Sequence, residues 1–117
     1  MAENRNIIAV HKSREVLLDI LTKRGFVTDE YKGFSVSEIH YLVQNNQLDM
    51  LVENVEGGKK VYIKYYNLDK TLRPSNVHEI VESLFTVEQI LTPTDDLIII
   101  IKERKKDYIV KHIVHLI

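Results

Sequence analysis

Asp49 and Lys64, on neighbouring β-rich stretches, carry the side chains that metal-assisted phosphodiester chemistry needs. In such a site carboxylates hold Mg²⁺, the ion lowers the pKa of a bound water, and a lysine stabilises the charge developing on the phosphate. The arrangement requires a second carboxylate two residues before the lysine, and that position is Tyr62. One carboxylate makes a poor Mg²⁺ cage. The spacing therefore favours a strand-end aspartate and a solvent-facing lysine over a catalytic pair.

Five histidines raise the question of a metal. His112 and His115 are three apart on a predicted last helix, which puts them on adjacent turns of one face. His11, His40 and His78 fall in other predicted helices, and no HExxH arrangement supplies a third ligand. Ordinary surface or half-buried histidines are the favoured reading, with no metal and no cofactor expected. Gly57-Gly58 joins two strands and does not open a helix, so it is no phosphate loop. Ser13, Ser35, Ser37, Ser75 and Ser83 lack a nucleophile-elbow context.

The basic run Lys102-Glu103-Arg104-Lys105-Lys106 follows an aliphatic strand and enters the predicted last helix. The carboxyl end of a strand is where α/β sheets place functional loops, and a basic loop there can meet phosphate oxygens. Spacing alone favours a solvated charged turn. Tyr62, Tyr65 and Tyr66 beside Lys59, Lys60 and Lys64 offer a stacking surface for single strands, although tyrosines on a half-buried strand more often serve as core and rim.

Charge is segregated along the chain. The net charge is −1, from 16 basic and 17 acidic residues. Residues 59–73 carry Lys59, Lys60, Lys64, Lys70 and Arg73 against Asp69 alone. Residues 74–101 contain no Lys or Arg, and the final stretch turns basic again. Two basic patches thus flank an acidic one, in a chain too neutral to coat nucleic acid indiscriminately. Its 117 residues, 44% hydrophobic, suit one folded domain and exclude a disordered tail. No apolar run reaches membrane-spanning length, and the N-terminal residues do not suggest a secretory signal. The absence of Cys removes thiolate metal sites and cysteine nucleophiles, and makes a reducing compartment the default.

Helical spacing of Ile7, Val10, Leu17, Leu18 and Leu21, with polar Lys12, Arg14, Glu15 and Asp19 between them, predicts a helix over 7–24 ended by Gly25. Ser35 and Glu38 fit a capping box for a short helix to about Asn45. The β-rich runs 48–53 and 61–66, across a loop containing Gly57-Gly58, predict an antiparallel hairpin. Pro74 opens a predicted helix over 75–85, with 87–91 as a continuation or separate turn. Leu97 to Ile101, apolar on both faces, reads as a central strand parallel to 61–66 across that helix. Tyr108, Ile109, Ile113, Leu116 and Ile117 suggest a last helix from about 106. The predicted fold is α/β, a mixed three-layer sandwich in the order helix-helix-strand-strand-helix-strand-helix. Its three-stranded sheet leaves 97–101 on a bare edge, which calls for a partner or for another strand after Ile117.

The helix ending in Lys23-Arg24-Gly25-Phe26, the strand Leu48-Asp49-Met50-Leu51-Val52 and the Lys60 to Tyr66 strand resemble the jaw domain of the fifth subunit of eukaryotic RNA polymerases. Lys70-Thr71-Leu72-Arg73-Pro74, the helix after it, and Asp95-Asp96-Leu97 to Lys102 look closest to homologues in large DNA viruses. The resemblance covers essentially the whole chain through the order of its elements. It implies a restriction-endonuclease-like core without nuclease residues, in keeping with Tyr62, and a non-catalytic place in the lower jaw near downstream DNA. It also implies partners: the largest polymerase subunit, the rest of the polymerase, and downstream double-stranded DNA, with no membrane. In cellular members a Thr-Pro-Ser-Ala string after the central strand lies close to DNA. Here Glu103-Arg104-Lys105-Lys106 holds that place, so the DNA contact carries over in position only.

The leading expectation is an intracellular jaw module, in nucleus, cytoplasmic virus factory or virion, and the N-terminal part of a longer subunit. Lys102, Arg104, Lys105 and Lys106 are its DNA-proximal residues, with Lys59 and Lys60 secondary. The alternatives are a small Mg²⁺-dependent nuclease of the PD-(D/E)XK type using Asp49 and Lys64, and an interaction domain that pairs through its sheet edge.

Overall fold

The computed structural model describes residues 2–66, 73–101 and 109–115. These form five strands, β1 (Phe26–Val27), β2 (Met50–Asn54), β3 (Lys60–Tyr65), β4 (Asp96–Ile101) and β5 (Ile109–His115). Among the described residues there are three α-helices, α1 (Ala2–Lys23), α2 (Val36–Gln44) and α3 (Pro74–Val81), and a π-helical turn, Glu82–Val87, extends α3.

The sheet runs β1-β2-β3-β4-β5 in space, in chain order. β2 and β3 are an antiparallel hairpin, with Met50 opposite Ile63 and Glu53 opposite Lys60. Its loop needs Gly57 and Gly58, at φ +80° and +94°, a region that side chains with a Cβ rarely enter. β4 lies parallel to β3, as expected for strands joined through a helix, and pairs Ile98 with Ile63.

Alternation along β4 divides the core. Ile98 and Ile100 pack with Met50, Val52, Val61, Ile63 and Tyr65 beneath α1 and α2. Leu97 and Ile99 face the other way, with Leu84 and Leu91, beneath α3 and the π turn. The three-layer α/β sandwich follows from this double burial, since a strand apolar on both faces is stable only when both are covered.

Helix boundaries follow their local chemistry. α1 starts at Ala2, five residues before the predicted start, and Gly25 ends it at φ +92°. Ser35 and Glu38 form the capping box, each side chain taking the other's amide at 3.1 and 2.9 Å. Pro74 occupies the first turn of α3, while Asn76 accepts the amide of Arg73. The predicted 75–85 helix changes type at Glu82, and the amide of Glu88 reaches back to the carbonyl of Ser83. Gln89 then takes φ +53° to turn the chain away.

Two expectations fail at the C-terminal end. Residues 109–115 are a strand and not part of a last helix. Apolar residues at 109, 113 and 117 match a helical repeat, but Ile109, Val110, Ile113 and Val114 are all β-branched, and the edge of β4 offers an unpaired row of amides and carbonyls. The edge wins: β5 pairs antiparallel with β4, from Ile101 opposite Ile109 to Asp96 opposite His115, with an irregularity between Ile99 and Ile100. The sheet is therefore larger than the predicted three strands. The strand thought to be missing after Ile117 is supplied by 109–115, and β4 presents no free edge for a partner. β1 adds the remaining strand, pairing Phe26 and Val27 with Asn54 and Glu53.

Candidate functional site

Asp49 immediately precedes β2, and Tyr62 and Lys64 stand two apart on β3, hence on one face of the sheet. The hairpin register brings all three together. The Tyr62 hydroxyl donates to Asp49 Oδ2 at 2.9 Å, and Lys64 Nζ donates to the same oxygen at 3.0 Å. Oδ1 accepts the backbone amide of Tyr65 at 3.0 Å. Burial pushes the Tyr62 phenol well above its ordinary range; the charge and hydrogen bond of Asp49 add to this, as does the charge of Glu88. A phenol so held keeps its proton and remains a donor.

The sequence pattern thus survives as geometry but with different chemistry. Where a second carboxylate would share a cation, Tyr62 presents an O–H that consumes the carboxylate already there. Among the described residues, no three His, Asp or Glu side chains are grouped to hold a metal ion. What the Asp49 cluster can do is tie the start of β2 to the end of β3.

The two secondary lysines are also engaged. Lys59 pairs with Asp96 at 3.1 Å, and Lys60 Nζ donates to the carbonyl of Ile90 at 2.8 Å. The Lys60 amide donates to Asp95 Oδ1 at 2.8 Å. Asp95 is 1% exposed, and its other oxygen takes the amide and hydroxyl of Thr92. Burial raises the Asp95 carboxyl, but the amides of Thr92 and Lys60, the Thr92 hydroxyl and the Lys60 charge together outweigh it and hold the pKa below its ordinary value. Asp95 therefore clamps the start of β3 to the turn before β4. The sequence reading took Pro93-Thr94-Asp95-Asp96 only as a break; a Thr three residues before an Asp in a Pro turn was the available signal.

Lys102, Arg104, Lys105 and Lys106 lie outside the described residues. In chain order they fall between β4 and β5, at the carboxyl end of β4. The tyrosine platform does not form: Tyr65 is buried beneath α1 and α2, whereas Tyr62 and Tyr66 belong to the opposite face. Among the described residues the histidines do not assemble either. His11 Nε2 contacts the carbonyl of Phe34 at 2.8 Å, His78 leans on Glu82, and His40 Nε2 is buried without a hydrogen-bond partner. His112 and His115 are on β5, so their helical spacing argument lapses.

Arg14 departs furthest from expectation. Counted among the polar residues between the apolar positions, it is 3% exposed and lines a cavity between α1, residues 31–34 and α2. Helical arithmetic contains the signal, because Val10, Arg14, Leu17, Leu18 and Leu21 form one continuous stripe. Among the described residues, no helix is long and apolar enough to cross a membrane. Compared with models of known families, with curated proteins and with solved structures, the chain finds no match in any of the three.

Proposed function

We propose that this chain is a non-catalytic module of a DNA-directed RNA polymerase, a jaw domain that steadies downstream duplex DNA through phosphate contacts. The observation that carries the reading is the Asp49–Tyr62–Lys64 cluster. It stands at the nuclease position of a hairpin followed by a parallel crossover strand, and both oxygens of its carboxylate accept from protein donors. Such a cluster in such a sheet is what a restriction-endonuclease-like core becomes when it keeps its frame and abandons metal chemistry. The nuclease alternative loses ground for the same reason, since Mg²⁺ would have to displace two side-chain donors and an amide from one carboxylate.

The DNA contact is assigned to Lys102, Arg104, Lys105 and Lys106. Lys59 and Lys60 are weaker candidates, because each already has an acceptor within the domain. Contacts of this kind are independent of base sequence and weaken with salt. The chain works within the polymerase, alongside its largest subunit, inside the cell in nucleus or cytoplasmic virus factory, or in the virion.

Affinity purification of the full-length tagged chain from its native host tests this assignment. The largest polymerase subunit is expected among the stoichiometric partners. Recovery of the chain free of polymerase, or Mg²⁺-dependent DNA cleavage that Asp49→Ala abolishes, would overturn it.

A further inference from the structure

The helix α1 carries a cation inside the protein that no carboxylate among the described residues neutralises. Arg14 is 97% shielded from solvent by its 3% exposure, yet among the described residues no carboxylate lies within ion-pairing distance of it. Nη1 donates to the carbonyl of Leu48 at 3.2 Å, while Nε is buried and has no acceptor. The guanidinium carbon stacks over Phe34 at 5.0 Å and Tyr31 at 5.8 Å from the ring centroids. Ring stacking orients a guanidinium and offsets part of its desolvation, but it supplies neither a counter-charge nor an acceptor for Nε–H. A buried, unpaired charge is among the more costly features a fold can keep.

Arg14 also lines a cavity of about 240 Å³. Leu18, Ile39 and Phe34 give it apolar walls, and His11 stands beside Arg14 on the same helix. We propose that this cavity binds a small organic carboxylate, its anionic group set against Arg14 and its apolar body against Leu18, Ile39 and Phe34. A guanidinium that no carboxylate neutralises, set in the wall of an apolar cavity, is matched by a carboxylate, whose two oxygens accept its N–H groups in charge-assisted hydrogen bonds. Two features select this chemistry over inorganic phosphate. The walls offer apolar surface that phosphate cannot use, and the mouth carries Glu15 and Asp19, whose charges disfavour a dianion. Asp19 is already paired with Lys23 at 3.0 Å, which lessens its opposition to a monoanion. This site is independent of the DNA-facing role.

Titration of the whole chain with phenylacetate, followed by the methyl resonances of Leu18 and Ile39, tests the proposal. Saturable shifts of both are expected, with neutral phenylacetamide and inorganic phosphate weaker by about tenfold or more, as the loss of a charge-assisted hydrogen bond or of apolar contact implies. Arg14→Met, which keeps the volume and removes the charge, is expected to abolish the preference for phenylacetate over its amide. The wild-type comparison of acid with amide decides the matter even if that variant folds poorly. Equal binding of acid and amide, phosphate binding as tight as phenylacetate, an unchanged preference in folded Arg14→Met, or no shift of the cavity methyls would each overturn the site.

Discussion

At Asp49 three donors converge on one carboxylate, and each comes from β3. Removing that acceptor leaves the Tyr62 hydroxyl and the Tyr65 amide to find other partners in a half-buried place. Asp49→Ala is expected to cost roughly 2 kcal/mol, the usual penalty for orphaning buried donors, read as a lowered midpoint in urea unfolding. Lys64→Met should cost less, because its side chain is 35% exposed and the pair is screened by water. At Asp95 the effect depends on pH. Its folded pKa lies below the ordinary 3.8, so the folded state holds that proton less tightly than the unfolded chain does. The corresponding stability is fully present above about pH 5 and is lost as pH falls through 3.8 towards the folded value. Thermal melts between pH 5 and 3 should therefore show a shallower decline for Asp95→Asn than for the unaltered chain, from a lower starting stability. Equal slopes would remove Asp95 from the acid response.

Among the elements, β4 bears the greatest packing load, with Leu97 and Ile99 fully buried on one face and Ile100 on the other. Ile99→Ala is expected to destabilise by about 2–5 kcal/mol, measurable in the same urea experiment. Removal of residues 109–117 should expose the β4 edge and yield concentration-dependent association in sedimentation; a folded, strictly monomeric product would show that β5 is not what protects it. Most elements were legible in the sequence because local chemistry and tertiary packing agree there: Ser35 and Glu38 cap, Gly25 stops, and Gly57-Gly58 turns. β5 was not legible, because Ile109 and Ile113 satisfy a helical repeat as well as a strand, and only the open edge of β4 decides between them. The two-residue β1 left no periodic signal at all. In the candidate site, Asp49 and Lys64 could be matched from spacing alone. The bond from Tyr62 depends on hairpin register, and the burial of Arg14 depends on where residues 31–34 cross α1.

For the whole molecule, charge and sheet topology point to the same end of the fold. β3 and β4 run parallel, so their carboxyl ends lie on one side of the sheet, and in chain order the basic run 102–106 comes next after β4. Lys59 precedes and Lys60 begins β3 at the opposite end, where Lys59 is paired with Asp96 and Lys60 Nζ donates to the carbonyl of Ile90. On the DNA-contacting role proposed above, a duplex should depend on the first group far more than on the second. The most direct test of the proposed jaw assignment is crosslinking of downstream DNA to this chain in a polymerase assembled with it, comparing the unaltered chain with Lys105→Glu/Lys106→Glu and with Lys59→Glu/Lys60→Glu. A marked loss with the first pair and a small change with the second is the predicted result, and crosslinking unaffected by reversal at 105 and 106 would contradict the account.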